Sequence, residues 1–260
     1  MGSSYSRFHG YRFQWGDLFT PAIKTLLIAN TGVFLAQEFS RLLFGDPAYN
    51  WLIRWFGLIP SAVTHGLRIW QPFTYLFLHG GVWHLLLNML VLWMFGRDLE
   101  LTWGRRRFYA YYFVCGVGAG LINILVKSVP VLFGRPPSYI ATIGASGAIY
   151  GILLAAAVVF PNRQIWIIPF PLMLPMRIYV LIIGAIAFFS SLGTTGDNVS
   201  HIAHLGGMLV GYVYLRRGSF LYRVRNRLSD WKRRRLRRKF EVYMREHGDQ
   251  PPSGPDRWIN

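Results

Sequence analysis

The sequence predicts an all-α protein that crosses a membrane several times, and two observations support this prediction. Apolar residues make up 53% of the 260 residues and charged residues only 15%, whereas average soluble chains carry about 25% charged residues. The apolar residues also fall in long blocks, as membrane-spanning helices require. A polytopic helical membrane protein is therefore the predicted fold class.

A helix needs about 20 apolar residues to cross the core of a bilayer, and about 17 at the short limit. Six apolar blocks reach this length or come close to it. The predicted spans are Ile23–Phe44, Gly80–Gly96, Phe108–Lys127, Gly144–Phe160, Met176–Leu192 and Ser200–Leu215. The second, fourth, fifth and sixth are short, which requires a thin membrane or partial burial in a bundle.

These spans divide the chain into three parts. We expect an N-terminal segment over residues 1–20, a membrane domain over 21–216 and a basic tail over 217–260. The first connection, residues 45–79, is long and rich in aromatic residues, which indicates a segment that folds back into the membrane interface.

The net charge of +17 is concentrated in the tail, where residues 216–239 hold twelve Lys or Arg against one acid, Asp230. Because cytoplasmic segments carry the excess of basic residues, we expect both termini in the cytoplasm. We also expect the tail to contact anionic lipid headgroups. Nucleic-acid binding is the alternative, and no recognition motif supports it.

The cysteine count and the first residues of the sequence bear on cofactors and on the compartment. The single cysteine, Cys115, excludes an internal disulfide and a multi-cysteine metal site, and we expect no metal and no cofactor. The first apolar run begins near Pro21, without a small-residue cleavage site after it, so no cleavable signal peptide is expected. The absence of a targeting segment favours a bacterial plasma membrane.

Polar residues inside the predicted spans are candidates for function, because polar groups are costly in lipid. They are His84 and Asn88 in the second span, Ser146 and Tyr150 in the fourth, and His204 in the sixth. These three spans run in the same direction, and the histidines and the serine lie three to five residues from the same ends. All therefore lie about 5–8 Å deep, which a shared site explains.

Ser146 and His204 have the chemistry of a nucleophile and its general base, which must approach within about 2.6–3.2 Å. Small residues would allow that approach, and we expect Gly207 and Gly211 to pack against Gly147 and Gly151.

The other polar residues suit supporting roles. The ring of His84, the amide of Asn88 and the backbone N–H of Ser146 can donate hydrogen bonds to an oxyanion. No acid lies at this depth, so we expect the ring of Tyr150 to orient His204. Each residue alone is more often a packing, metal-binding or interhelical residue, and only the joint pattern favours catalysis.

Several motifs follow one another in this part of the chain. They are Phe77-Leu78-His79, His84-xxx-Asn88, Glu100-xxx-Gly104-xxx-Phe108, Gly144-Ala145-Ser146-Gly147 and Ala203-His204-xx-Gly207-xxx-Gly211. In this order they resemble the rhomboid family of intramembrane serine proteases, from about Trp70 to Gly211.

This resemblance implies a six-helix bundle that cleaves single-pass membrane proteins near the outer face, with a Ser146–His204 dyad and without metal or nucleotide. It also implies a lateral gate at the fifth span and a cap over Gly193–Val199. One departure is visible, since Gln71 follows Trp70 where the family often has arginine. This puts the bracing of the first connection in doubt.

Two other functions compete with proteolysis. A catalytically inactive relative that binds membrane clients is expected to lack the serine or the histidine, and both are present. A transporter or channel is expected to spread polar residues through the membrane depth, whereas here they cluster near one face.

Overall fold

The computed structural model describes residues 18–136, 138–167, 172–192 and 201–217. The chain divides into two compact units, Met1–Tyr214 and Leu215–Asn260, and the features below belong to the first, apart from residues 215–217 at the end of the last helix. The predicted basic tail from residue 218 and the predicted cap over Gly193–Val199 lie outside the described residues.

Helices make up most of the described chain. They are α1 (Pro21–Phe44), α2 (Asp46–Phe56), α3 (Pro60–Thr64), α4 (Gln71–Thr74), α5 (Val82–Val91), α6 (Arg97–Trp103), α7 (Arg105–Leu132), α8 (Ser146–Val159), α9 (Met176–Leu192) and α10 (residues 201–217). A 3₁₀ turn, Tyr75–Phe77, follows α4, and a π-helical turn, Leu92–Gly96, joins α5 to α6. Each of the six predicted spans thus coincides with a helix or a continuous helical run.

By length and composition, one helix among the described residues could cross a membrane alone. This is α7, with 28 residues and a mean hydropathy of 1.7. The helical runs Gln71–Phe77 and Val82–Trp103 are long and apolar enough to cross a membrane only when taken together, and the chain bends by 96° between them. Helices α8 and α9 are apolar but shorter. The helical part of the predicted fold class is confirmed, whereas the number of spans stays a prediction.

The fourth connection departs from the predicted all-α fold. Strand β1 (Gln164–Ile167) pairs antiparallel with β2 (Leu172–Pro175). The Ile-Trp-Ile run of β1 consists of residue types that favour strands. The hairpin is fastened beside α9 because Met176 N donates to Arg163 O at 2.8 Å, and the Arg163 guanidinium forms an ion pair with Asp98 of α6.

The bend before α5 is stabilised by a glutamine from α1. The backbone is not helical between Phe77 and Val82, so its polar groups need other partners. Gln37 supplies both a donor and an acceptor for His79. Its Nε2 donates to His79 O at 3.2 Å, and its Oε1 accepts from His79 N at 3.1 Å. The pair fixes the chain immediately before the helix that carries His84.

A carboxylate from α6 caps the start of α1. Glu100 is buried, and its oxygens accept from the hydroxyl of Thr20 and from the backbone N–H groups of Ala22 and Ile23 at 2.9–3.1 Å. These N–H groups have no partner within the helix, and a negative charge is favourable at this end. The contact joins the start of the first predicted span to α6, which follows the second predicted span.

Helices α8 and α10 meet at two glycines. A Cβ built on Gly207 would overlap the carbonyl oxygen of Gly147, and one on Gly147 would stand 3.5 Å from Ala203 O. The two backbones are therefore in direct contact, as in small-residue packing of membrane helices.

The other two glycines of the predicted pattern pack mainly against α7. A Cβ on Gly151 would stand 2.6 Å from Cys115 Sγ and 3.2 Å from Gly207 O. A Cβ on Gly211 would meet Tyr111 Oη, and Cys115 Sγ at 3.3 Å. The predicted packing of Gly211 against the fourth span is thus wrong. Only the chain trace reveals that α7 lies against this part of α10.

We expect Gly207→Ala to destabilise the protein, because the new methyl group meets backbone that cannot rotate away. Overpacking of this kind typically costs about 1–3 kcal/mol. Gly32→Ala in α1 is the matched control, since a Cβ there has nothing within 4 Å and alanine favours a helix over glycine. Thermal unfolding in detergent should show a lower midpoint for Gly207→Ala alone. Equal midpoints for both variants would contradict this packing.

Candidate active site

Ser146 and His204 meet at the start of α8. Ser146 is the first residue of that helix, and His204 lies one turn into α10. The Oγ of Ser146 is 2.8 Å from the Nε2 of His204, which is the distance needed between a nucleophile and its base. The contact joins residues 58 positions apart in the chain.

Tyr150 fixes the orientation of the histidine ring. Its ring is stacked on His204 with centroids 4.1 Å apart and planes inclined by 6°. Since Tyr150 follows Ser146 by one helical turn, the same face of α8 presents both side chains to α10.

The second ring nitrogen of His204 bears on how this base is oriented. Its Nδ1 is buried and has no hydrogen-bond partner among the described residues, and the ring of His201 lies 5.9 Å away in an edge-on arrangement. If Nε2 accepts the serine proton, Nδ1 carries the ring hydrogen. Stacking and burial, rather than an acid of the described chain, therefore orient this base.

Gly144 allows His84 to approach the nucleophile. Gly144 has a φ of 118°, a conformation that side chains disfavour, and a Cβ there would stand 2.8 Å from Cε1 and Nε2 of His84. The Nδ1 of His84 lies 3.3 Å from the N–H of Gly80 and accepts from it. Its Nε2 then carries the hydrogen and can donate near the backbone that leads into Ser146.

Asn88 lies one turn after His84 and is buried. Its Nδ2 donates to His84 O at 2.8 Å, which uses one of the two amide hydrogens. The same nitrogen would be 3.9 Å from a Cβ on Gly144. The structure therefore brings both predicted oxyanion donors to the segment before Ser146.

Two tyrosines, one in the 3₁₀ turn after α4 and one in α7, support this segment and the helix α8 that follows it, and sequence reasoning missed them. Gly144 N donates to Tyr75 O at 2.9 Å, and the buried Tyr75 hydroxyl donates to Gly116 O at 2.7 Å. Tyr111 donates to Gly151 O at 2.8 Å. A buried tyrosine usually finds a partner for its hydroxyl, but the sequence does not say which carbonyl it is.

Gln71 braces the first connection, and this resolves the doubt raised by the missing arginine. It is fully buried. Its Oε1 accepts from Ile59 N at 3.0 Å, and its Nε2 donates to Arg54 O at 3.0 Å and to Trp55 O at 3.3 Å. A neutral amide thus holds three backbone groups of the connection.

The first connection is in turn paired with the strand-like segment before the nucleophile. Leu58 and Thr142 exchange two backbone hydrogen bonds of 2.9 Å each. The Thr142 hydroxyl accepts from Asn123 Nδ2 at 3.1 Å and from Lys127 Nζ at 3.3 Å. Polar groups of α7 therefore anchor the chain four residues before Ser146.

Comparison with known proteins identifies the family. The family model described as "Rhomboid domain" matches residues 66–219, a range that contains Gln71, the π-helical turn, Ser146 and His204. The chain belongs to the rhomboid family. Membership makes it a membrane protein of a family of intramembrane proteases.

Three rhomboid relatives illustrate the similarity. "RHOMBOID-like protein 1" of Arabidopsis thaliana is 28% identical over 85% of this chain and 59% of its own length. "Rhomboid protein 1, mitochondrial" of Saccharomyces cerevisiae is 30% identical over 53% of this chain and 38% of its own length. "Rhomboid protease GluP" of Bacillus subtilis is 29% identical over 55% of this chain and 25% of its own length. The chain thus spans between a quarter and three fifths of the length of these rhomboids.

The comparisons correct the expected location. Similar rhomboids include plant, mitochondrial and chloroplastic proteins of eukaryotes, which point to an organellar membrane. The prediction of a bacterial plasma membrane with cytoplasmic termini is therefore wrong. It rested on the pattern of the first residues and on charge bias, and neither identifies the compartment.

We expect the stacked ring of Tyr150, not its hydroxyl, to matter for this rhomboid site. Tyr150→Phe keeps the stack and should react with a serine-directed fluorophosphonate within about twofold of the wild-type rate. Tyr150→Ala leaves the imidazole of His204 free to move, and a displacement of about 1 Å can lower a reaction rate about 10²-fold. We therefore expect much slower labelling of this variant. Labelling rates of purified protein in detergent would measure both. A phenylalanine variant as slow as the alanine variant would assign the role to the hydroxyl instead.

Proposed function

We propose that this rhomboid protein is a serine endopeptidase that cleaves transmembrane segments of other proteins with a Ser146–His204 dyad. The observation that carries the proposal is the 2.8 Å contact between Ser146 Oγ and His204 Nε2 at the start of an apolar helix. The printed name of the Bacillus subtilis relative, a rhomboid protease, supports the same activity.

The proton transfers follow from this contact. His204 Nε2 takes the hydroxyl proton as Ser146 Oγ attacks the scissile carbonyl, and a tetrahedral intermediate forms. The imidazolium then gives this proton to the departing amine, which leaves an acyl-enzyme on Ser146. Water, activated by the neutral His204, hydrolyses the ester and restores the free serine.

The oxyanion of the intermediate requires preorganised donors. His84 Nε2–H and the second amide hydrogen of Asn88 flank Gly144, and the backbone N–H of Ser146 is at the free N-terminal end of α8. Helix N-termini favour developing negative charge. These groups lie on two separate helices, α5 and α8, so the fold itself positions them.

The proposed membrane arrangement has six spans, formed by α1, the run α5–α6, α7, α8, α9 and α10. Helix α8 has 14 residues and α9 has 17, so their lengths are about 21 and 25 Å, compared with a hydrocarbon core of about 30 Å. A thinned bilayer around them would accommodate this mismatch. It would also bring water closer to Ser146.

The proposed substrate is a single-pass transmembrane helix, cut near the membrane face at which Ser146 lies. Carbonyl groups within an intact helix are already hydrogen-bonded, so the substrate must unwind locally before attack. Helix-breaking residues near the cut should therefore help cleavage, and small residues there would fit beside the packed glycines.

Ser146→Ala should abolish cleavage of a model transmembrane substrate, with a rate loss of about 10⁴-fold or more, because the nucleophile is gone. Ser191→Ala is the matched control, since among the described residues its hydroxyl bonds only to Phe188 O of its own helix, at 2.6 Å. Product formation by purified protein in detergent measures the effect. Appreciable turnover by Ser146→Ala, with a normal unfolding midpoint, would refute the dyad.

His84→Ala should lower kcat about 10²–10³-fold while KM changes little, because an oxyanion donor acts mainly in the transition state. Asn88→Ala should act in the same direction but less strongly, since part of its amide already bonds to its own helix. Steady-state kinetics separates kcat from KM. A double variant with wild-type kcat would remove both residues from the site.

A further inference from the structure

A cavity of about 640 Å³ lies in the first connection, away from Ser146. Its polar lining consists of Arg54, Ser61, His65, Arg68 and Tyr139. None of these residues takes part in the proposed proteolysis. The cavity is therefore a separate concave site with several hydrogen-bond donors and no assigned role.

Two arginines line this cavity, Arg54 and Arg68. The guanidinium of Arg68 lies 4.3 Å from the centroid of the Trp55 ring, and its Nη1 donates to Arg54 O at 2.7 Å. This leaves its remaining N–H groups available. The side chain of Arg54 forms no hydrogen bond or ion pair with any described residue. Guanidinium groups match the oxygens of phosphate better than an ammonium group does.

The surroundings supply no compensating carboxylate. Residues 45–79 contain one acid, Asp46, and it is ion-paired with Arg41 at 2.7 Å. Residues 133–143 contain no acid but add Arg135. An incoming anion would therefore meet no repulsive group in either segment that forms the cavity.

The cavity is built on fixed backbone. Ile59, which lines it, is bonded through its N–H to the buried Gln71, and the neighbouring Leu58 pairs with Thr142. Tyr139 enters the lining from the same segment as Thr142. A site that exists before the ligand arrives avoids the cost of ordering it.

Apolar side chains around the cavity indicate its depth in the membrane. Helix α2 has no buried residue, and large apolar side chains of this connection are exposed, including Trp51 (55%), Leu67 (74%) and Ile69 (77%). Tryptophan and amphipathic helices with this pattern lie at the level of lipid headgroups. We propose that this cavity binds the phosphate of an anionic phospholipid headgroup between Arg54 and Arg68.

Native mass spectrometry of the full chain in neutral detergent tests this proposal, with short-chain phosphatidylglycerol, short-chain phosphatidylcholine and inorganic phosphate as probes. We expect wild-type protein to bind one phosphatidylglycerol at least tenfold more tightly than phosphatidylcholine, whose choline would approach two cations. Arg54→Gln should weaken phosphatidylglycerol binding about tenfold, because it removes a charge-assisted hydrogen bond. Arg135→Gln is the matched control and should change the affinity for phosphatidylglycerol by less than twofold.

Each remaining outcome decides against the proposal. Equal wild-type affinity for the two lipids would overturn it, whatever the variants do. Equal losses in Arg54→Gln and Arg135→Gln would show diffuse attraction by surface charge and no site. Binding of inorganic phosphate as tight as that of the lipid would assign the cavity to a soluble anion. Arg68→Gln provides a second pocket variant if Arg54→Gln lowers the unfolding midpoint without lipid.

Discussion

The contact between the backbones of α8 and α10 at Gly147 and Gly207 determines how closely Ser146 can approach His204. Any side chain at Gly207 would overlap the Gly147 carbonyl, so the two helix axes would move apart. The 2.8 Å hydrogen bond of the dyad lies one turn from this contact. Catalytic geometry of this kind is sensitive to displacements of about 1 Å. In the proposed mechanism the two glycines would therefore affect catalysis through the distance between Ser146 and His204.

A second constraint is the satisfaction of polar groups inside an apolar bundle. Backbone groups freed at bends and helix ends find partners in buried side chains: Gln37 at the bend before α5, Glu100 at the start of α1, and Gln71 in the first connection. An unpaired buried group costs about 1–3 kcal/mol. These side chains thus hold the non-helical segments that carry the site. The buried Nδ1 of His204 departs from this pattern, since it has no partner among the described residues, as do Asn30 Oδ1, His79 Nε2 and Tyr112 Oη.

Much of the helical framework could be predicted from the sequence, because long blocks of apolar residues indicate membrane-spanning helices. The fifth predicted span, Met176–Leu192, has the bounds of α9. The meeting of Ser146 and His204 followed from polar residues at one depth in parallel-running spans. The roles of these residues in catalysis stay predictions.

Other features could not be predicted, because they depend on contacts between distant segments. The hydrogen bonds of Tyr75, the pairing of Leu58 with Thr142 and the packing of Gly211 on α7 each join parts of the chain that no local pattern relates. The β1–β2 hairpin was missed because its short apolar run lies between prolines and fits an interfacial loop equally well. The location was missed because composition does not distinguish one membrane from another.

Mapping the adduct of a fluorophosphonate by peptide mass spectrometry tests the central claim most directly. Only a serine activated by a neighbouring base should react at a useful rate. We expect the wild-type chain to carry one adduct, on Ser146, and the His204→Ala variant to lose it while keeping its unfolding midpoint. An adduct on another residue, or undiminished labelling of Ser146 in His204→Ala, would contradict the dyad.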